Sequence, residues 1–342
     1  MGCRCPEVSG SVGFENQDVE RKVLAILSTL GDSQVPVGSR IIAKRLKEQG
    51  VDLGERAVRY HLKLMDERGL TELVGRRDGR TITEVGQSEL KKALVAHKVG
   101  SALSRIEVLA FRTTFDLTKR TGSIPVNVSF FSENEFNKAL KVMKPVFQSG
   151  LCVSDLVAVA RSGESFGDLS VPEGKVGLAT VCSILINGTL LKAGIPIDSK
   201  FGGIIQIKNN KPLRFVELIH YDGSSLDPTE IFIRASMTSV SKVIATGNGE
   251  ILANYREVPV ICKPLVDEVQ AKLEAAGIKG ILVSGNVSEP VCEVPIELNK
   301  VGLVLTGGLN PVAAAVEAGV TCESHAMSTV VDYTILRKIT EV

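Results

Sequence analysis

A repeat inside the chain limits the possible folds more than any other feature of the sequence. The segment that begins at Lys175 reads KVGLATVCSILINGTLLKAGIPIDSK, and the segment that begins at Lys300, 125 residues later, reads KVGLVLTGGLNPVAAAVEAGVTCESH. In each copy a β-prone run is followed by a loop, a helical pattern and a second β-prone run. Because such alternation is typical of α/β domains, the repeat predicts an α/β domain built from two related halves.

The segments upstream of the two copies extend the similarity. A short apolar run at Ile124 and another at Val258 are each followed by a helical pattern and a further strand-like run. We therefore predict an α/β effector-binding domain over 123–342, with halves at about 123–240 and 258–335. A cleft between similar α/β halves is a common place for a small ligand. The sequence has neither a GxGxxG nor a GxxxxGK[ST] pattern, which disfavours nucleotide binding.

A different pattern in the first quarter of the chain predicts a separate domain. Three amphipathic helical segments, which begin near Val19, Ser39 and Glu55, are followed by two β-prone stretches that flank the turn GRRDG. This order predicts a winged helix-turn-helix over 19–86, preceded by a flexible tail over 1–18. A linking helix and connection are predicted over 87–122.

The distribution of charge points to DNA as the partner of this first domain. The whole chain has a formal net charge of +1, but between Glu20 and Lys92 there are 15 Lys or Arg against 11 Asp or Glu. A recognition helix reads base edges in the major groove, whereas a wing grips phosphates. The candidate DNA-binding residues are Arg56, Arg59, Tyr60 and Lys63 in the third helix and Arg76, Arg77 and Arg80 in the wing.

Composition favours a folded cytoplasmic protein. No apolar run approaches the roughly 20 residues that span a bilayer, and the start, MGCRCPEVSG, lacks the apolar segment of a secretory signal. Most of the seven cysteines are scattered, which fits a reducing compartment. Cys3 and Cys5 form a CxC without further ligands nearby, so we expect neither a metal nor a cofactor.

Longer segments of the chain resemble one known family. They are GERAVRYHLKLMDERGLT in the third helix and TVCSILINGTLLKAGIP, KFGG, HYDGSSLDPTEIFI, MTSV, GNGEILANYREVP and TGGLNPVAAAVEAG in the larger domain. Through them the chain resembles the archaeal nitrogen-regulatory repressors of the NrpR family, from about residue 20 to the end. The resemblance implies a repressor of nitrogen-assimilation genes that binds a palindromic operator and is released by 2-oxoglutarate.

The resemblance and the palindrome also predict partners. A palindromic operator requires readers related by a two-fold axis, so we expect a homodimer or a higher even oligomer. Some members of the family have two copies of the regulatory domain, and this chain has one. Another protomer, a companion protein with a second regulatory domain, or general transcription factors are therefore expected partners.

Five residues of the larger domain are candidates for binding the effector. A dicarboxylate requires charge-assisted donors, and Arg256 in NYREVP offers a guanidinium fork. The backbone near Cys182 and Ser183, where a strand passes into a helix, offers the donors of a helix start. Gly203 in KFGG and Thr238 in MTSV are candidates for close backbone approach and a hydroxyl contact. Arg256 equally fits an ordinary ion pair, and Cys182 an ordinary buried thiol.

Other interpretations of the same residues remain open from sequence. The larger domain is alternatively an enzyme with Cys182 as nucleophile and His220 or His325 as its base. The whole protein is alternatively a transcription scaffold that binds DNA without any effector, and the basic residues of the third helix are alternatively only a solvated face. A thermal shift with 2-oxoglutarate tests for an effector, because a ligand that prefers the folded state raises the melting temperature.

Overall fold

The computed structural model describes residues 12–33, 35–75, 79–92, 99–167 and 169–342. Four residues discussed above, Cys3, Cys5, Arg76 and Arg77, lie outside these ranges. The chain divides into two compact units, 1–98 and 99–342. Within the described ranges, no helix has the length and apolarity needed to cross a membrane.

The first unit is the winged helix-turn-helix predicted from the sequence. Its elements are α1 (Val12–Gly31), α2 (Ser39–Glu48), α3 (Glu55–Glu67), the antiparallel hairpin of β1 (Thr71–Gly75) and β2 (Gly79–Ile82), and α4 (Glu84–Lys92). Each of the first three helices turns one apolar face to a common core, with Ile26, Ile42 and Leu62 fully buried. The predicted tail is too long, because α1 begins at Val12 and no proline between there and Val19 interrupts it.

The predicted linking helix is two helices rather than one. The stretch over 87–122 is divided between α4 and α5 (Ser101–Arg112), and α5 belongs to the second unit. Its apolar face, which includes Ile106 and Leu109, is buried in the core of that unit. Gly100, directly before α5, has a positive φ of 74°, a conformation that ends regular helix and that glycine adopts without strain.

The second unit contains the two predicted halves. The first half consists of β3 (Ser123–Ser132), α6 (Glu133–Ser149), β4 (Leu156–Arg161), the short β5 (Ser165–Phe166) and β6 (Leu169–Ser170), β7 (Lys175–Val181), α7 (Ile184–Lys192), β8 (Asp198–Lys208), β9 (Lys211–His220), α8 (Pro228–Arg234) and α9 (Val240–Thr246). The second half consists of β10 (Gly249–Pro259), α10 (Lys263–Ala275), β11 (Ile281–Ser284), β12 (Lys300–Thr306), α11 (Asn310–Glu317), β13 (Cys322–Asp332) and β14 (Arg337–Lys338). The second half therefore begins earlier than the predicted residue 258.

The two halves exchange their last strands. From β3 to β8, without the short β5 and β6, and from β10 to β13, both have the order strand, helix, strand, strand, helix, strand, which is the split βαβ arrangement of ferredoxin-like folds. The sheet of the first half has the order β13-β3-β7-β4-β14, and the sheet of the second half has the order β11-β12-β10-β8-β9. Thus β8 of the first half completes the second sheet, and β13 of the second half completes the first. All pairs within both sheets are antiparallel.

The strand registers show which residues of the two halves correspond. Ser132 lies opposite Lys175 in the first sheet, and Pro259 lies opposite Lys300 in the second. By this register Asn127 of β3 corresponds to Asn254 of β10, and both are buried polar residues. The repeat in the sequence is therefore a structural repeat, and its two copies meet around these two asparagines.

Candidate functional site

A small cavity lies where the two halves meet. Its free volume is about 20 Å³, which is enough for one or two water molecules. It is lined by Asn127, Cys182, Ser183, Ile184, Tyr221, Asp227, Thr229, Asn254, Arg256, Gly308, Leu309, Ala326 and Met327. Corresponding residues of the two halves thus face one another across the same space.

Two helices begin at this cavity. Cys182 and Ser183 directly precede α7, and Gly308 and Leu309 directly precede α11. The first amides of a helix have no acceptor within it, and the helix dipole adds partial positive charge there. A Cβ on Gly308 would lie 2.6 Å from Nδ2 of Asn127, so only glycine allows this close approach. The arrangement provides donors from both halves for a bound anion.

The two corresponding asparagines form hydrogen bonds with other residues of the cavity wall. Oδ1 of Asn127 accepts a hydrogen bond from the amide of Met327 at 3.0 Å. Asn254 donates from Nδ2 to Oγ of Ser183 at 3.2 Å and accepts from the hydroxyl of Tyr221 at 2.6 Å. Met327 lies in a bulge of β13 and has a positive φ of 50°, which is uncommon for a residue with a side chain.

Arg256 breaks the symmetry of the site. Its side chain is only 1% exposed, whereas the corresponding residue of the first half is Ser129. Nη1 donates to the carbonyl oxygen of Tyr255 at 3.0 Å, Nε approaches Oδ1 of Asn187 at 3.4 Å, and the guanidinium lies 4.9 Å from the ring centre of Tyr221. Across the described part of the chain, no carboxylate oxygen comes within 4.0 Å of it. A buried guanidinium without a carboxylate is unfavourable unless an anion joins it.

Two further residues of the asymmetric side follow β9. Tyr221 and Asp227 enclose the exposed loop 222–226, and both are buried. Asp227 is the N-cap of α8, where its carboxylate accepts from the amides of Thr229 and Glu230 and from the Thr229 hydroxyl. Burial raises the pKa of Asp227, while these hydrogen bonds oppose that shift.

The alternative with Cys182 as a nucleophile disagrees with the geometry. Burial raises the pKa of the Cys182 thiol to about 12, so it carries a proton at neutral pH. Neither proposed base lines the cavity. The ring of His220 packs against Phe201, and Nε2 of His325 lies 3.2 Å from Glu323.

Two of the five predicted effector residues lie away from the cavity. Gly203 is in β8, and a Cβ there would lie 2.5 Å from the carbonyl oxygen of Glu217, so the glycine permits packing of β8 against β9. Thr238 donates to Oε1 of Glu317 at 2.7 Å, and the same carboxylate accepts the amides of Val240 and Ser241 at the start of α9. Both residues support the fold, whereas Cys182, Ser183 and Arg256 line the cavity.

Sequence reasoning missed most of the cavity wall, including Asn127, Tyr221, Asp227, Asn254 and Gly308. Signals for some of them were present. Asn127 interrupts the apolar alternation of IPVNVSFF and Asn254 directly follows the apolar ILA, so each is a polar residue at a predicted strand position, and Asp-Pro before TEIFI is a helix start. The ungapped alignment of the copies that begin at Lys175 and Lys300 pairs Ser183 with Gly308.

The predicted recognition residues share one exposed face of α3. Arg56, Arg59, Tyr60 and Lys63 are all exposed, with Tyr60 at 63%, while Val58, Leu62 and Met65 are buried on the opposite side. Nη2 of Arg59 lies 3.4 Å from Oε1 of Glu55, one turn earlier. Such an exposed pair is weak, so Arg59 can leave it for a base edge.

Arg80, predicted as a phosphate contact, has a partner inside the domain. Its Nε lies 2.8 Å from Oδ2 and 3.1 Å from Oδ1 of Asp66, and Thr71 donates to the same carboxylate at 2.6 Å. The pair ties the wing to the end of α3. The two other wing arginines, Arg76 and Arg77, lie outside the described residues.

Comparison with known proteins agrees with this architecture. The family described as NrpR regulatory domains NRD1 and 2 matches residues 99–338. The global nitrogen regulator NrpRI of Methanosarcina mazei is 39% identical over 94% of this chain and 98% of its own length. The chain belongs to the NrpR family.

Other NrpR proteins and one structure extend the match. The global nitrogen regulators NrpR of Methanocaldococcus jannaschii and Methanococcus maripaludis are 36% and 33% identical, and the chain spans 56% of the length of each. A crystal structure of a nitrogen repressor-like protein from Methanococcus jannaschii has a TM-score of 0.60 and 27% identity, over 70% of this chain and 98% of that one.

The winged helix of this NrpR member has a match of its own. Residues 24–90 match the winged-helix domain of ribonuclease R, which places a known nucleic-acid-binding fold before the regulatory domain. A regulatory domain joined to a winged helix, in a family of global nitrogen regulators, makes this NrpR protein a transcription regulator of nitrogen metabolism and not an enzyme.

Proposed function

We propose that this NrpR protein represses nitrogen-assimilation genes by binding a palindromic operator through its winged helix, and that 2-oxoglutarate in the cavity releases the DNA. The observation that carries the proposal is the fully buried Arg256, which faces the cavity without a carboxylate partner among the described residues. An arginine in such a place is stabilised by a ligand that brings its own carboxylate.

The rest of the cavity supports a dicarboxylate with unlike ends. One carboxylate pairs with the guanidinium of Arg256, and the second lies at the helix start near Ser183 or the helix start near Gly308. The asymmetry of the site, with Arg256 in one half and Ser129 in the other, fixes which way round the ligand binds. An acceptor between the carboxylates, such as a 2-oxo group, fits the hydrogen-bonding groups of Asn127 and Asn254.

The size of the cavity requires a change of shape on binding. A volume of about 20 Å³ holds water but not a five-carbon dicarboxylate, so the walls must separate. Strands and helices supply most of the wall, whereas the connection between Tyr221 and Asp227 is an exposed loop. We therefore assign the opening to loop 222–226. A ligand that selects the opened form shifts the protein towards it.

The surface of α3 supports the DNA half of the proposal. Arg56, Arg59, Tyr60 and Lys63 form an exposed face that suits the major groove, where arginine discriminates guanine. Arg76, Arg77 and Arg80 remain proposed backbone contacts, although Arg80 would first have to leave Asp66. A palindrome needs two such faces, supplied by a homodimer or by a companion regulatory protein.

The deciding experiment is an operator titration with and without millimolar 2-oxoglutarate. For the wild type we expect the effector to weaken operator binding by about 5- to 150-fold, the usual range of coupling between two sites. By reciprocity, operator DNA must weaken effector binding by the same factor.

An Arg256→Met variant should keep operator binding and lose the response, because it removes the carboxylate partner and preserves much of the volume. Arg337→Met, at an exposed position in β14, is the matched control and should respond like the wild type. Equal wild-type affinities with and without effector would exclude the sensing function and favour a scaffold that needs no effector.

A further inference from the structure

Asp227 is a second ionisable group in the cavity, and it has the same sign as the proposed ligand. Its side chain lines the cavity together with Arg256, and the residue is 7% exposed. No Lys, Arg or His nitrogen of the described chain lies within 4.0 Å of its carboxylate. A dianion that enters this space therefore meets a buried carboxyl group with no cation in direct contact, since Arg105 acts on it only from beyond 4.0 Å.

Two carboxylates in one poorly solvated site do not both remain ionised. Like charges a few ångströms apart in a medium of low dielectric raise the pKa of one of them until a proton is bound between them. Burial already raises the pKa of Asp227 in the free protein. A carboxylic acid kept neutral in this way becomes a hydrogen-bond donor, which an ionised carboxylate is not.

Most of the other groups around Asp227 do not compete for that proton. Burial raises the pKa of Cys182 to about 12 and raises that of Tyr221, so both are already protonated at neutral pH. Arg256 of β10 and Arg105 of α5 are permanent cations. On α8, burial raises the pKa of Glu230 and the nearby charge of Asp227 adds to the rise, whereas the hydrogen bond that its Oε1 accepts from the amide of Ala326 in β13 opposes it; a Glu230 variant is therefore needed to assign the proton.

We propose that Asp227 is a specificity-determining residue of the effector site, which takes up one proton from solvent when a dianionic 2-oxo acid binds and then donates a hydrogen bond to it. The inference rests on the proposed function of the cavity. A ligand with an ammonium group, such as glutamate, would instead pair with the ionised form of Asp227 and need no proton. The protonation state of this one residue therefore separates a 2-oxo acid from the corresponding amino acid.

The test is titration calorimetry of the full chain with 2-oxoglutarate in two buffers that differ in ionisation enthalpy, between about pH 6 and about pH 8.5. The difference between the binding enthalpies in the two buffers gives the number of protons taken up per ligand bound. We expect one proton per ligand above the pKa of Asp227, with a dissociation constant that rises by about tenfold per pH unit. Below that pKa the proton is already present, so uptake and pH dependence both disappear.

Variants assign the proton to its residue. Asp227→Asn keeps a good N-cap but cannot titrate, so it should bind 2-oxoglutarate without proton uptake and with a constant affinity across pH. Asp227→Ser, which also caps helices, repeats the test if the amide variant is unstable. Glu230→Gln and His325→Gln change neighbouring titratable groups and should leave the uptake at one proton.

Four outcomes separate the possibilities. Binding by the wild type without proton exchange at every pH would overturn the role of Asp227 and leave the effector in place. Uptake that persists in Asp227→Asn would overturn it as well. Absence of binding heat and of any thermal shift would remove the proposed effector, and the role of Asp227 with it. Glutamate that binds with one proton taken up would also contradict the inference.

Discussion

Arg59 and Arg80 are both cations of the winged helix unit, but their different surroundings lead us to expect different roles in DNA binding. The side chain of Arg59 is 63% exposed on α3 and has a weak partner one turn away, whereas that of Arg80 is 20% exposed and grips Asp66 with its Nε. An exposed arginine is free to bridge guanine O6 and N7, and a paired one mainly holds the wing in position.

Arg59→Ala is expected to lose about 1 to 3 kcal/mol of discrimination between operator and random DNA, because a bidentate base contact carries that much specificity. Competition binding with both DNAs measures it. Arg68→Ala, at the C-terminal end of the same helix and also exposed, is the control and should keep the discrimination. If specific and random binding weaken equally in Arg59→Ala, this arginine contacts phosphate instead.

At the scale of residues, the sequence predicted the cation of the cavity, Arg256, but not most of the residues that form the cavity wall. Arg256, Cys182 and Ser183 were predicted because each stood in a long motif and had suitable chemistry. Asn127, Tyr221 and Asp227 lie between 29 and 129 residues away from Arg256 or Cys182 in the sequence, and only tertiary packing brings them together. Thr238 lies away from the cavity because its hydroxyl donates to the Glu317 carboxylate, which also accepts the first amides of α9.

Among the elements, α5 has contacts that join it to the cavity at both of its ends. At its start, the amide of Ala102 donates to the carbonyl oxygen of Ser224 at 3.2 Å, within the loop between Tyr221 and Asp227. Near its end it packs on α7, where a Cβ on Gly188 would lie 2.5 Å from Cβ of Thr113. If the cavity opens as proposed, we expect the movement of its wall to reach α5 through these contacts.

Gly188→Ala is expected to push α5 away from α7 and to reduce the coupling between effector and operator, while 2-oxoglutarate still binds. Overpacking of this kind also lowers stability, by about 1 to 3 kcal/mol. Operator affinity with and without effector gives the coupling, and thermal unfolding gives the stability. Leu191→Ala, at a partly exposed position of α7, is the control and should leave the coupling unchanged.

A Gly188→Ala protein that is less stable but responds as strongly as the wild type would show that the contact between the two helices is structural only. The sequence predicted a link between the domains as one helix, because the apolar spacing continues from 87 to 112. It did not reveal the break, since the positive φ of Gly100 follows from where α5 packs rather than from periodicity.

At the scale of the whole molecule, the reciprocal exchange of β8 and β13 makes the second unit a single structure. In each sheet the first strand of a half, β3 or β10, has a neighbour that the other half supplies, β13 or β8. The sequence predicted both halves correctly from their repeat. It did not predict the exchange, because the apolar pattern of a buried strand shows that it enters a sheet and does not show which one.

A fragment over 99–342 is therefore expected to unfold cooperatively on its own, whereas a fragment over 99–248, which contains one complete copy of the repeat, should not fold. The first keeps both exchanged strands, and the second leaves β3 without β13 and β8 without β10. Circular dichroism and thermal melting distinguish the two. A cooperative transition in the shorter fragment would contradict the interdependence of the halves.

The strand exchange also delays the pairing of β3 during synthesis of the chain. The strand β3 ends at Ser132 and its neighbour β13 ends at Asp332. At about 5 to 20 residues per second, a ribosome needs about 10 to 40 s to make the intervening chain. During that time the edge of β3 that pairs with β13 stays unpaired. The sequence of β3 at this edge, IPVNVSFF, is mostly apolar, and exposed strands of this kind associate readily with one another. Production of soluble protein should therefore depend on translation speed and on chaperones that cover this edge.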